Sequence, residues 1–208
     1  MNILLVDKHA VVRLGYASLL RAQLPGVEVR EAGSGEDALL RVQEAVPNLV
    51  ITGVGLPGIS GLETTRRLRQ RLPQLRVLFF SQHDELPLVR QALEAGASGY
   101  ITKGATPAVM NEAVQRLLDG HTYIEQVLAT ELAFHPSDHR LQGMTARELE
   151  IFLMLAKGTP TRSIADQLSI SSKTVSNYLT LLKSKLQVTS HAELVHVGID
   201  LGVVRAAG

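Results

Sequence analysis

Four short apolar runs in this chain end on, or pass through, positions where charge could be bound. Ile3–Val6 runs into Asp7 and Lys8, Leu75–Phe80 into Ser81, and Gly99–Thr102 into Lys103, while Leu49–Val54 contains Gly53. A carboxylate such as Asp7 is a hard oxygen ligand suited to Mg²⁺, which needs several such ligands. Group transfer to protein requires a nucleophile, and Gly53 has no side chain to offer one. A second polar set lies near the C-terminus. At 100° per residue, Lys173, Asn177, Thr180 and Ser184 share one helical stripe, with Ser176 beside it. Such a stripe is either a solvated helix face or a surface for an anionic partner.

The elements that must position the first set alternate. Strands are expected at Ile3–Val6, Val27–Ala32, Leu49–Val54, Leu75–Phe80 and Gly99–Thr102. Between and after them, helical patterns span Ala10–Leu24, Gly35–Ala45, Leu62–Leu72, Leu86–Ala95 and Thr106–Leu118. Thr106-Pro107 opens the last as N-cap and first helical residue. Five strands alternating with five helices imply an α/β doubly wound parallel sheet with helices on both faces. Ligands of such sheets gather at the carboxyl ends of the strands, where Asp7, Lys8, Gly53, Ser81 and Lys103 stand. Thr52 precedes Gly53, and strand alternation sends its side chain to the other face, which makes it a poor substitute nucleophile.

LLVDKHAVVRLG, PNLVITGVGLPGISG, FFSQHD and AGASGYITK together resemble a response-regulator receiver domain over about residues 1–120. The resemblance implies a flavodoxin-like fold. In that family two adjacent acids after the first strand and one after the third hold Mg²⁺, and the third-strand Asp accepts a phosphoryl group. Asp7 matches the first acid, Lys8 replaces the second, and Gly53 replaces the acceptor. Ser81, Tyr100 and Lys103 match the family's switch Ser/Thr, switch aromatic and lysine. Two of the three metal acids are therefore missing, so neither bound Mg²⁺ nor an aspartyl phosphate is expected. Asp7 is expected to pair with one or both lysines, and Ser81 and Tyr100 could serve simply in packing.

Residues 121–142 are read as a linker. Within it Tyr123–Phe134 carries a helical pattern, and His135–Gly143 reads as loop, with Pro136, Ser137 and Asp138 clustered. His121, His135 and His139 lie here too; His135 and His139 sit in the loop signal without an obvious third ligand, and all three read as solvated. Beyond the linker, Thr145 and Glu148 form a capping box ahead of a helix ending at Gly158. Helices at Thr161–Leu168 and Ser172–Leu186 are joined by Ser169–Ser171, which is helix-turn-helix spacing. Ser190 and Glu193 open a fourth helix running to about Leu201. Five basic residues between Lys157 and Gln187 (Lys157, Arg162, Lys173, Lys183, Lys185) face one acid, Asp166, whereas residues 1–120 hold 13 basic and 12 acidic residues. The basic bias is thus local to this half.

The stretch MTARELEIFLMLAKGTPTRSIADQLSISSKTVSNYLTLLKSKLQVTSHAEL resembles the LuxR-type helix-turn-helix of NarL/FixJ response regulators over about residues 143–205. That resemblance implies phosphate contacts from Arg162, Thr174, Tyr178 and Lys185, and base contacts from Ser176, Asn177 and Thr180, with Lys173 on the same face. Where family members commonly carry Lys, this chain has Ser176, and often Lys again where it has Thr180. Asn177, able to bond adenine bidentately, is left with most of the discrimination. The family's last helix contributes to a dimer on DNA, which makes Val195 and Ile199 dimerisation candidates, with core packing as the alternative.

The whole chain has 208 residues, 45% apolar and 20% charged, with 21 basic against 20 acidic residues and no cysteine. That charge balance does not mark an evident polyanion binder, and the lack of cysteine leaves no disulfide framework. The length allows one large domain or two small ones, and the two resemblances place domains at 1–120 and 143–208. No signal peptide or membrane span is read, so a cytoplasmic location is expected. The expected function is a non-enzymatic, dimeric, sequence-specific transcription regulator that works without aspartyl phosphate. Its expected partners are promoter DNA, a second copy of itself and RNA polymerase. The alternatives are a receiver that modulates another regulator, or a switch driven by another ligand or modification.

Overall fold

A computed structural model describes residues 1–135, 138–141 and 143–204. Pro136 and Ser137 of the expected loop, Gln142 at the expected domain boundary and residues 205–208 of the expected C-terminal domain lie outside the described residues. Met1–Asp84 and Val89–Phe134 form one compact unit, and Glu85–Leu88 group with the described chain from His135 in a second.

In the first unit strands β1 (Asn2–Val6), β2 (Glu28–Ala32), β3 (Leu49–Thr52), β4 (Arg76–Ser81) and β5 (Gly99–Thr102) alternate with helices α1 (Ala10–Gln23), α2 (Gly35–Glu44), α3 (Gly61–Arg71), α4 (Leu86–Glu94) and α5 (Pro107–Leu118). The sheet is parallel throughout, in the order β2-β1-β3-β4-β5 and then β6 (Tyr123–Ile124). The expected five-stranded sheet therefore has six strands. β6 and helix α6 (Gln126–Phe134) occupy the first part of the expected linker and belong to this unit. Two residues are too few to show strand periodicity, so the helical pattern over Tyr123–Phe134 hid β6. Tyr123 and Ile124 pair with Gly99 and Tyr100, and the Glu125 carboxylate accepts the Thr102 amide at 2.7 Å.

Strand alternation divides the core. Ile3, Leu5, Leu49, Ile51, Leu78 and Phe80 pack with Ala17 and Leu20 of α1 and Met110, Val114 and Leu117 of α5. Leu4, Val6, Val50, Val77 and Phe79 are buried as well, as are Ala38 and Val42 of α2 and Leu62 and Leu68 of α3. Strands apolar on both faces belong in a sheet covered on both. Side-chain N-caps start the helices, Ser34 on α2, Ser60 on α3 and Thr106 on α5. Gly61 opens α3 hard against β3, and a Cβ there would collide with the Gly53 carbonyl oxygen. The chain order reverses at β1 and β3, so their carboxyl ends flank the sheet's switch point.

The second unit is helical: α7 (Ala146–Ala156), α8 (Thr161–Leu168), α9 (Ser172–Leu186) and α10 (His191–Asp200). Its core joins Leu149, Phe152, Ile164, Leu168, Val175, Leu182 and Leu194, all essentially inaccessible. Of the apolar stripe expected on α9, Val175 and Leu182 are buried, while Leu179 and Leu186 are half-buried. Gly198 lets α10 approach α7, since a Cβ there would stand 2.6 Å from the Ala156 methyl. Among the described residues no helix is long and apolar enough to cross a membrane.

Candidate functional site

The strand-end residues converge at the switch point, around Asp7. Asp7 is only 4% exposed, and the Lys103 ammonium is ion-paired to its Oδ2. Its other oxygen accepts the His9 amide at 2.8 Å and lies 3.2 Å from the His9 imidazole Nδ1. The pairing expected between Asp7 and a lysine is made with Lys103, while Lys8 sits half-buried next in sequence. Sequence reasoning missed two neighbours. His9 contributes its amide, and Arg13 of α1 donates to the Asp7 carbonyl at 2.6 Å while holding Glu31 at 3.3 Å. Their only sequence signal is proximity to Asp7.

Gly53 follows β3 directly and faces this carboxylate. A Cβ at Gly53 would meet Asp7 Oδ2 at 3.6 Å and the Phe80 carbonyl at 3.7 Å, ordinary contacts. Position 53 therefore has room for a Cβ. Thr52 is buried, with its hydroxyl donating to the Gly53 carbonyl at 3.2 Å. On the far side, Ser81 is 2% exposed and its hydroxyl accepts the His83 amide at 3.2 Å. Tyr100 is fully buried, stacked on Phe79, and its hydroxyl donates to the His83 carbonyl at 2.7 Å. The Lys103 amide donates to the Ser81 carbonyl at 2.7 Å. The loops after β4 and β5 are thus tied to each other, and the second of them to Asp7 through Lys103.

Forming an acyl phosphate at the end of β3 needs a carboxylate there, which Gly53 does not provide. Mg²⁺ is held by hard oxygen ligands, and the Asp7 carboxylate is ion-paired to the Lys103 ammonium. Among the described residues no cluster of three His, Cys, Asp or Glu has metal-holding geometry, and His121, His135 and His139 are all exposed.

The C-terminal unit carries the second set. α8 ends at Ser169 in the left-handed region (φ 55°), and Ser171 caps α9 by accepting the Thr174 amide at 3.0 Å. This three-residue turn holds α8 against α9, leaving one face of α9 outside the core. Lys173, Ser176, Asn177, Thr180 and Ser184 are all exposed on it. The Ser176 and Thr180 hydroxyls donate to the Ser172 and Ser176 carbonyls one turn back, at 3.0 and 3.2 Å. Their remaining outward capacity is chiefly as acceptors. The Asn177 side-chain amide has no hydrogen-bond partner among the described residues, so it presents both donor and acceptor. Arg162 is exposed in the first turn of α8, Tyr178 is half-buried, and the Thr174 hydroxyl lies 2.8 Å from that of Ser171.

Lys185 differs from the rest. Its ammonium lies 2.7 Å from Glu148 and 3.1 Å from the Gly143 carbonyl, so it is engaged within the unit. Glu148 is 5% exposed and completes the capping box, accepting the Thr145 amide at 2.7 Å while its own amide donates to the Thr145 hydroxyl at 3.3 Å. Burial pushes the Glu148 carboxyl up, but the Lys185 ammonium and the Thr145 amide outweigh it and hold the group below its ordinary range. On α10, Leu194 and Gly198 are buried, whereas Val195 and Ile199, one turn apart, are half-buried.

Residues 3–115 match the response regulator receiver domain, and residues 142–198 match the bacterial regulatory proteins of the luxR family. The chain is 68% identical to the transcriptional activator protein ExaE of Pseudomonas putida, over the full length of both. It is 34% identical to the response regulator UvrY of Escherichia coli strain K12, over 99% of this chain and 97% of that one. A crystal structure of a LuxR-family two-component response regulator from Aurantimonas sp. SI85-9A1 superposes with a TM-score of 0.61 at 37% identity, covering 64% of this chain and 95% of the other. The RcsB–DNA complex shares the fold, with a TM-score of 0.61 at 20% identity over 94% of this chain and 96% of that one. The chain therefore belongs to the LuxR-type response regulators, DNA-binding regulators of transcription, not enzymes, in which a receiver domain precedes a luxR-family helix-turn-helix.

Proposed function

We propose that the protein is a sequence-specific regulator that binds promoter DNA as a homodimer and does so without aspartyl phosphorylation. The observation that carries the reading is the pocket around Asp7. With Gly53 at the end of β3 there is no acceptor, and with Lys103 on Asp7 the one acid present already has its counter-charge. Mg²⁺ would have to displace that ammonium and recruit ligands that Lys8 and Gly53 do not supply. The ties through Ser81, His83, Tyr100 and Lys103 support a receiver held in one arrangement.

The exposed stripe of α9 is the proposed reader of the major groove, with Ser176, Asn177 and Thr180 toward bases and Arg162, Lys173, Thr174 and Tyr178 toward phosphates. Val195 and Ile199 are the proposed contribution of α10 to the dimer, because half-burial leaves both with area to cover. Activation is proposed from the 68% identity to a protein named as a transcriptional activator, with RNA polymerase as the further partner and the cytoplasm as the location.

The test is duplex selection from random DNA with untreated protein, followed by affinity measurements on the selected site. Asn177→Ala is expected to lose about tenfold on that site, the range for one bidentate base contact. Arg162→Ala is expected to weaken binding to every duplex and to flatten the slope of log affinity against log salt by about 0.9. If neither variant changes binding, α9 is not the reader.

A further inference from the structure

Lys185 and Glu148 lie 37 residues apart in sequence yet meet at 2.7 Å, joining the last turn of α9 to the first turn of α7. We propose that this pair is a clamp that sets the orientation of α9, so that Lys185 is a positioning residue acting through Glu148 instead of a phosphate contact. The inference rests on the DNA-reading role proposed for α9.

Three observations carry it. First, the ammonium has three donors, and two are spent inside the unit, on the Glu148 carboxylate and the Gly143 carbonyl. Second, the buried carboxylate that holds Lys185 cancels its charge, and a neutral pair draws little on the counterion release that makes lysine useful on DNA. Third, the two ends of α9 are fastened by different devices. The N-terminal end is set by the Ser171 cap and its tight turn from α8, and the C-terminal end by Lys185 on the capping box of α7. Ser176, Asn177 and Thr180 lie between those two fastenings. Short side chains such as these reach base edges only when the helix sits close and at one angle, so loosening one end costs recognition before it costs folding.

That ordering separates the proposal from its rivals. Full-length wild type, Lys185→Gln, Glu148→Gln and Arg162→Gln would be titrated onto a labelled selected duplex and a scrambled duplex of equal length, across a salt series. The clamp predicts that Lys185→Gln and Glu148→Gln each lose about tenfold on the selected duplex. Both should stay within about twofold of wild type on the scrambled duplex and keep the wild-type salt slope, while Arg162→Gln flattens the slope by about 0.9. A flattened slope for Lys185→Gln, with equal losses on both duplexes, would make Lys185 a phosphate contact and overturn the proposal. Equal losses on both duplexes at unchanged slope would show a merely structural pair and overturn it too, as would unchanged affinity for Glu148→Gln, which carries no charge toward DNA. If wild type selects no duplex, the DNA-reading role itself fails and the clamp with it; if it selects one, a failure of the Lys185 and Glu148 outcomes alone counts against the clamp.

Discussion

Gly53 and Asp7 define the input side at the scale of single residues. A glycine at the end of β3 leaves room, since a Cβ there makes only ordinary contacts with Asp7 and Phe80. Gly53→Asp should therefore fold. It should nevertheless fail to become phosphorylated, because Lys8 still occupies the second acid position and Lys103 still holds Asp7. Intact mass after incubation with acetyl phosphate and Mg²⁺ is expected to show no adduct of about 80 Da, the mass of one phosphoryl group. An adduct on this single variant would show that Lys8 is no obstacle. The Asp7–Lys103 pairing was legible in the sequence because opposite charges had to share a strand-end crevice. The roles of His9 and Arg13 were not, because a backbone amide aimed at a carboxylate leaves no mark in residue type, and the reach of the Arg13 side chain to the Asp7 carbonyl depends on how α1 packs on the sheet.

Helices and strands were legible in proportion to their length and patterning. β1, β3 and β4 follow from short, largely apolar runs, and α5, α7 and α10 from capping residues ahead of a periodic pattern. β6 was missed because two residues carry no period, although it fixes Glu125 over the amide of Thr102. The internal engagement of Lys185 was equally hidden, since it depends on how α7 and α9 pack. One consequence of that packing is a pH dependence. The folded-state carboxyl of Glu148 lies below its ordinary value, so its pairing contributes stability above the unfolded value near 4.5, and that stability fades as pH falls through the lower folded value. Thermal melts of full-length wild type and Glu148→Gln should differ most near neutral pH and converge as the medium is acidified below 4.5. A gap that widens on acidification would mean that Glu148 is not held ionised by Lys185 and Thr145.

Over the whole molecule, a charge balance of 21 basic to 20 acidic residues conceals a division of labour. The receiver unit is nearly neutral and has its loops tied by its own groups, while the basic bias falls on the helix-turn-helix half. The first unit's order β2-β1-β3-β4-β5, with β6 added, delivers its crevice to Asp7 and Gly53, and the second unit delivers Asn177 to its surface. The proposed regulator without a phosphoryl switch rests on both halves, the exposed stripe of α9 and a strand-end crevice with Gly53 in place of an acceptor. The direct measurement is the dissociation constant of the full-length protein on its selected duplex, before and after treatment with acetyl phosphate and Mg²⁺. The account predicts dimeric binding that is the same within about twofold in both, with no adduct of about 80 Da. Binding that tightens tenfold or more on treatment, together with that adduct, would contradict it.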